Sequence, residues 1–146
     1  MSILASFRPD GILINPSLHD GKLLGIITAA NNQVHLFASS VRGDFFQLTL
    51  VDVFSFRADD FMEGNIIFDI TFVTGASVVR EEVLFATGIE DDSQFKKFVD
   101  ATMQRIKESE LFLFQLSPSW GSTIACLCKE LRVQPISIDN PIRSML

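Results

Sequence analysis

The sequence predicts an α+β protein that is mainly β: an antiparallel meander forms a bent sheet or a small barrel closed by an amphipathic helix, with a C-terminal strand-helix extension. Three observations indicate this class. Residues 11–87 form short apolar or alternating runs separated by turn residues. After residue 88 the hydrophobic period becomes helical. A chain of 146 residues that is 47% hydrophobic can bury one core without metals or disulfides, so we expect a single domain over 1–146.

The predicted strands lie in six runs, which are ILINPSL, KLLGIITAA, QVHLFASS, DFFQLTLVDVFSF, NIIFDITFV and SVVREEVLFAT. Asp20-Gly21 and Asn31-Asn32 tolerate the positive φ values of tight turns, so consecutive runs should fold back as antiparallel neighbours. The second run is apolar at both alternating sets of positions, which suits a strand covered on both faces. In the fourth run Asp52 interrupts the alternation and predicts a bulge or bend. The fifth run alternates, and its expected buried face consists of Ile66, Phe68, Ile70 and Phe72.

The helix is predicted from about residue 91 to 109 by apolar residues at helical spacing. Asp91, Asp92 and Ser93 are typical of its N-terminal cap. Its expected buried face consists of Phe95, Phe98, Val99, Thr102 and Ile106. Residues 109–146 form the predicted extension. In it LFLFQL is a strand, residues 118–132 form a shorter helix that Ser117-Pro118 begins, and residues from Pro135 onward are a surface tail.

Antiparallel strands followed by a capped amphipathic helix resemble the pleckstrin-homology-like fold over residues 10–108. The junction VLFATGIEDDSQFKKFVDATMQRI is similar to the last strand and closing helix of such domains, with Phe85 ending the strand. The resemblance implies a helix that plugs one end of a barrel, and a binding scaffold for proteins or peptides. Members that bind phosphoinositides have several basic residues around the first hairpin. Only Lys22 stands there in this chain, so we infer no lipid site.

The charge pattern limits which classes of partner this protein can bind. The net charge is −6 and the 12 basic residues are scattered, so no basic stripe is available for nucleic acid or for an anionic membrane surface. No stretch reaches the run of about 18 uncharged apolar residues that a membrane helix needs. The N-terminus, MSILASFRPDG, lacks the features of a secretory signal. We therefore expect a cytoplasmic protein.

A hydrolase that uses Ser119 is one alternative. The segment SPSWG matches the G-x-S-x-G nucleophile pattern at Ser119 and Gly121, but Ser117 replaces the first glycine. No histidine follows His35, whereas the triad order of such hydrolases requires one after the serine. His19 and His35 are more typical of surface or hydrogen-bonded histidines than of catalytic ones. The sequence therefore favours a non-enzymatic protein.

The two cysteines, Cys126 and Cys128, are expected to be reduced, partly buried thiols. Neither histidine stands at a zinc-ligand spacing from them, so we expect no metal site and no cofactor. The 14 phenylalanines, without any tyrosine, predict a dry aromatic core. A β-barrel that carries an apolar small molecule is a second alternative.

The favoured function is a protein-binding or adaptor domain that acts through a protein partner or through self-association. Its surface is expected to be an exposed strand edge or the segment 109–146. In that segment the predicted interaction residues are Leu111, Phe112, Phe114 and Trp120. The last residues, Ser144-Met145-Leu146, also resemble a ligand for PDZ-type domains.

Overall fold

An eight-stranded antiparallel sheet is the main element of the computed structural model, which describes residues 5–137. The order of strands across the sheet is β10-β5-β4-β3-β7-β8-β9-β6, and β1 pairs with β2 in a separate ribbon. The mainly β class is therefore confirmed. The elements in chain order are β1 Ser6–Phe7, β2 Leu13–Asn15, β3 Lys22–Ala29, β4 Gln33–Ser39, β5 Phe45–Val51, β6 Ser55–Asp59, β7 Asn65–Val73, α1 Arg80–Thr87, α2 Lys96–Lys107, β8 Phe112–Trp120, β9 Thr123–Cys128 and β10 Glu130–Ile136.

The sheet bends along one long two-stranded ribbon that forms part of it. Residues 45–59 pair with residues 123–136, first as β5 with β10 and then as β6 with β9. Asp52 lies between β5 and β6 at φ 53°, which confirms the predicted bend. The ribbon stays hydrogen-bonded there, since Phe54 N donates to Leu127 O. Within residues 5–137 the strand order still ends at β10 and β6, so the sheet is bent but not closed into a barrel.

The predicted tight turn at Asn31-Asn32 connects two neighbouring strands, whereas Asp20-Gly21 does not join a hairpin, because β2 pairs with β1 and β3 pairs with β4 and β7. Asn31 and Asn32 both adopt positive φ, 71° and 55°, between β3 and β4. Gly43 adopts φ 90° between β4 and β5, and its N–H donates to Ser40 O. Because these conformations cost Asn and Gly little, the local sequence determines the β3–β4–β5 meander.

The core has two parts, one on each face of β8 and β9. Alternate residues of β9 separate them: Ala125 and Leu127 face the helices, whereas Cys126 packs with the rest of the sheet. Both helices therefore lie on the outside of the sheet, and the prediction that a helix closes the barrel end is wrong. Of the predicted buried face of α2, Phe95 and Phe98 are exposed and the buried members are Val99, Thr102 and Ile106.

The run SVVREEVLFAT contains a helix, not the predicted last strand. Val79 precedes α1, and its N–H donates to Glu82 Oε1, so a carboxylate caps the first turn. Gly88 ends the helix in the left-handed conformation, at φ 73°. Val83 and Ala86 are three residues apart and form the buried stripe. Phe85 therefore lies inside a helix and does not end a strand.

Residues 118–132 are strands, not the predicted second helix. Ser117 and Pro118 lie within β8, and Pro118 pairs with Ile67 where the register shifts, a position that tolerates the missing N–H. Pro135 lies in β10, at the edge of the sheet. Because β8 and β9 are interior strands, residues 111–128 supply buried side chains to both parts of the core.

A bulge in β7 changes which side chains are buried. The register with β8 shifts on both sides of Ile67, so Ile67 and Ile70 are buried while Phe68 is 51% exposed. The prediction of a single face that includes Phe68 is wrong for this reason. The phenylalanine core is also not found: of the 14 phenylalanines, all in the described part of the chain, only Phe37 and Phe114 are buried. Leucine, isoleucine, valine and cysteine fill the interior instead.

Candidate interaction surface

One edge of β3 is open over most of its length. On the side facing β7, only Lys22 and Leu23 are paired, with Ile66 and Asn65. Residues 25–29 pair with β4 alone in the described structure, and Leu24 is the extra residue of a bulge between Leu23 and Gly25. Leu24 and Ile27 are exposed apolar side chains on this strand. The sequence predicts that β3 is covered on both faces, but Leu24 and Ile27 are exposed, and within residues 5–137 the edge of β3 after Leu23 is unpaired on the side facing β7.

A groove of about 580 Å³ lies beside this edge. One wall is residues 22–24 of β3, and the other is the loop from Phe61 to Asn65. Phe61 and Met62, in this loop, are largely exposed to solvent. We call Leu24, Ile27, Phe61 and Met62 the β3 edge surface. Exposed apolar side chains beside unpaired backbone are typical of a protein-binding site.

Asn65 fixes the loop that forms the far wall. Its Oδ1 accepts hydrogen bonds from Met62 N at 3.0 Å and from Ser122 N at 3.1 Å. Its Nδ2 donates to Met62 O and to Leu23 O. The side chain is buried, so one amide ties together the loop, β3 and the turn between β8 and β9. The groove is therefore held in shape before any partner binds.

The predicted interaction residues do not form one surface. Leu111 and Phe114 are buried in the two parts of the core, so they cannot contact a partner in this conformation. Phe112 is half-buried and its ring stacks on Phe72, with centroids 4.7 Å apart. Trp120 is 59% exposed. It pairs with Ile66, the residue next to Asn65 in β7, so Trp120 lies one strand away from the groove wall that Asn65 forms.

A second group of exposed aromatic rings lies on the helix side. Phe54, in the bend between β5 and β6, stacks on Phe98 of α2 with centroids 5.8 Å apart. The Arg105 guanidinium lies 5.3 Å from the centre of the Phe54 ring. These rings cover one another, and they join α2 to the sheet. We therefore assign them a packing role.

Neither histidine is hydrogen-bonded to Ser119. His19 Nδ1–H donates to the Phe68 carbonyl, which the bulge in β7 turns toward it. His35 is hydrogen-bonded to the side chains of Thr49 and Gln47 on the outer face of the sheet. Ser119 is exposed near the end of β8. Both histidines are thus engaged in the structural contacts that the sequence favours for them.

Cys126 and Cys128 are free thiols, fully buried in the core. They lie on the same face of β9, since residues two apart in a strand project to one side. The neighbouring Cys128 thiol and burial both raise the pKa of Cys126. The thiol is therefore neutral at physiological pH and shielded from solvent.

Comparison with known proteins finds no match: no family model, no curated protein and no solved structure is similar to this chain. Neither helix in residues 5–137 has the length and hydrophobicity to cross a membrane. The same residues contain no cluster of three or more histidine, cysteine, aspartate or glutamate side chains that could bind a metal ion. Ser144-Met145-Leu146 lies outside the described residues.

Sequence reasoning missed the β3 edge surface. A signal was present: Phe61-Met62 is an apolar pair between the acidic residues of ADDFMEGN, where a turn normally carries polar side chains. An apolar pair in a solvated turn indicates either packing or binding. The unpaired edge itself had no local signal, because it depends on which strands lie side by side.

Proposed function

We propose that this protein is a non-enzymatic, cytoplasmic protein-binding domain, and that it binds its partner at the β3 edge surface. The observation that supports this is the free edge of residues 24–29, beside a groove that the buried Asn65 amide holds open. A partner strand added there would satisfy the unpaired backbone groups of β3. Its side chains would contact Leu24, Phe61 and Met62. This is the geometry of recognition by strand addition.

The charge distribution favours a partner segment that is uncharged. The groove has one cation, Lys22, and one anion, Glu63, while its other side chains are apolar or neutral. A charged segment would meet no compensating cluster, and burying an unpaired charge is costly. Apolar and small polar side chains match this lining best.

Selection from a displayed library of extended peptides, followed by affinity measurement, tests the proposal. Phe61→Ser should weaken the selected peptides at least tenfold, because it removes an aromatic wall of the groove. Phe95→Ser is the matched control, since Phe95 is 50% exposed and Phe61 48%, but Phe95 lies on the helix side. Equal affinities for the two variants, or failure to select any peptide, would argue against a site for a separate extended peptide at this edge.

The carrier alternative receives no support from the described residues. The interior of the bent sheet is packed with leucine side chains, among them Leu36, Leu48 and Leu50, all at most 1% exposed. An apolar ligand would have to displace part of this packing. We therefore propose neither a carrier of an apolar ligand nor a hydrolase.

A further inference from the structure

We propose that the partner at the β3 edge is a second copy of this chain, joined by antiparallel pairing of β3 with β3 about a two-fold axis. This inference rests on the proposed function, because it uses the same edge. It adds the identity of the partner and the register of the contact. Antiparallel pairing of two identical strands is two-fold symmetric, so it forms a closed dimer and leaves neither copy with an unpaired β3 edge.

The register of the meander shows which backbone groups are free. Ser40 N donates to Asp44 O, so this pair is a hydrogen-bonded one. Hydrogen-bonded pairs alternate along an antiparallel ladder. Counting back along β4 from Ser40, the backbone N–H and C=O groups of the even-numbered residues point to β5. Those of the odd-numbered residues point to β3. On β3 the groups of residues 25, 27 and 29 therefore point to β4. Those of Ile26 and Thr28 point to the open side.

These free groups match their own copies. When Ile26 pairs with Thr28 of the second copy, two equivalent sets of hydrogen bonds form across the axis. Ile27 then stands opposite Ile27 of the second copy in a non-hydrogen-bonded pair, where side chains approach most closely. Ile27 is an exposed apolar residue on a strand, and this pairing would bury it.

The remaining positions are also compatible with self-pairing. In the same register, Gly25 stands opposite Ala29 and the bulged Leu24 lies near Ala30, so no two large side chains meet at these positions. The new ladder ends at Leu24, because Leu23 and Lys22 are already paired with β7, so the Asn31-Asn32 turn of one copy comes against the loop from Phe61 to Asn65 of the other. No two like charges face each other, because β3 has no charged residue after Lys22. The net charge of −6 therefore does not oppose this contact locally.

The other two strand edges carry the features that block pairing. β10 has Glu130 and Arg132 on its exposed positions, and Pro135, which cannot donate to a ladder. β6 has Arg57, whose side chain binds Asp59 and reaches the Phe85 carbonyl of α1. The open part of β3 has no charge, no proline and no helix hydrogen-bonded to it. Among the open edges of the eight-stranded sheet in residues 5–137, this one alone is left suited to pairing.

Disulfide trapping tests the register directly. In a non-hydrogen-bonded pair the Cα atoms are about 4.5 Å apart, within the range that a disulfide spans. Under mild oxidation of dilute protein, Ile27→Cys should give a covalent species of twice the 16.3 kDa chain mass. The native thiols are buried and should not interfere. Val41→Cys is the control, because Val41 is exposed in the turn between β4 and β5, away from the axis.

Light scattering coupled to size exclusion tests the native assembly. The unmodified chain should have the dimer mass at high concentration, and Ile27→Lys should have the monomer mass, because two like charges would meet on the axis. Val41→Lys should remain dimeric. Thr28→Pro is a second variant, which should also have the monomer mass because the N–H that it removes is directed to the open side. Circular dichroism checks that each variant folds.

A monomeric wild-type chain at every concentration, or no preference of Ile27→Cys over Val41→Cys for cross-linking, would overturn self-pairing. If peptides selected against the protein still bind in a Phe61-dependent way, the proposed function stands without the dimer. If the dimer forms and no peptide binds, self-pairing stands and a separate peptide partner does not. The two proposals can therefore fail independently.

Discussion

Gly121 leaves the space that the Asn65 amide occupies: a Cβ on Gly121 would lie 2.3 Å from Asn65 Oδ1. Gly121 also has φ 90°, a backbone angle that residues with a side chain rarely adopt. The turn between β8 and β9 is thus shaped to admit the amide that fixes the groove.

Gly121→Ala should therefore destabilise the fold by more than its backbone conformation alone requires. We expect a loss of about 3 kcal/mol in the free energy of unfolding, from a left-handed alanine and a displaced Asn65. Gly64→Ala is the matched control: Gly64 has φ 77° and a Cβ there would meet no atom within 4 Å, so its loss should be about 1 kcal/mol. Urea unfolding measures both. Equal losses would show that the contact with Asn65 is unimportant.

Residues 1–108 should not fold without the rest of the chain. That fragment lacks β8 and β9, so β7 and β6 each lose a neighbouring strand and both parts of the core are opened. We expect the far-ultraviolet circular dichroism spectrum of the fragment to be that of an unfolded chain, with no cooperative thermal transition. A cooperative transition in this fragment would instead support an independent 10–108 unit.

The Phe54 and Phe98 rings should couple energetically. A double-mutant cycle with Phe54→Ala and Phe98→Ala is expected to give about 1 kcal/mol of interaction beyond the single losses, as for other stacked aromatic pairs. The same cycle between Phe54 and Phe95 provides the control, and should be additive to within about 0.5 kcal/mol. Additivity in both cycles would mean that the stacking does not stabilise the attachment of α2.

The Cys126 thiol should make the fold less stable in alkali. Its pKa is raised in the folded protein above the ordinary value of 9.0, so above that pH the unfolded chain loses a proton that the folded chain keeps. The free energy of unfolding should then fall with rising pH, by at most about 1.4 kcal/mol per pH unit from this group. Below pH 9 the group should contribute no slope. Denaturant unfolding between pH 8 and 10.5, compared with Cys126→Ala, measures the difference, and identical slopes would contradict it.

Features that depend on a few adjacent residues could be predicted from the sequence. Asn31-Asn32 and Asp52 have side chains that tolerate positive φ, and the structure places a turn and a bend there. Most of α2 was predicted for the same reason, since its buried residues repeat along twelve consecutive positions. Local conformational cost determines these features wherever the rest of the chain lies.

Features that depend on pairing between distant segments could not be predicted from the sequence. The segment that forms α1 is only eight residues long, and in so short a run the stripe of Val83 and Ala86 cannot be distinguished from strand alternation. Residues 123–128 are apolar on both faces because helices cover one side and the sheet the other, which a helical pattern also fits. The open edge of β3 depends on where β7 begins, and Asn65 determines that through contacts with residues far along the chain.

The two-stranded ribbon along which the sheet bends constrains the order of folding. β6 finds its neighbour only in β9, and β5 is completed on its outer side only by β10. During synthesis the β3–β4–β5 meander can form early, whereas β6 and most of β7 must wait for β8 and β9, which are synthesised later. Such long-range pairing slows folding and leaves edges transiently exposed. We therefore expect the nascent chain to depend on chaperones until β8, β9 and β10 have been synthesised.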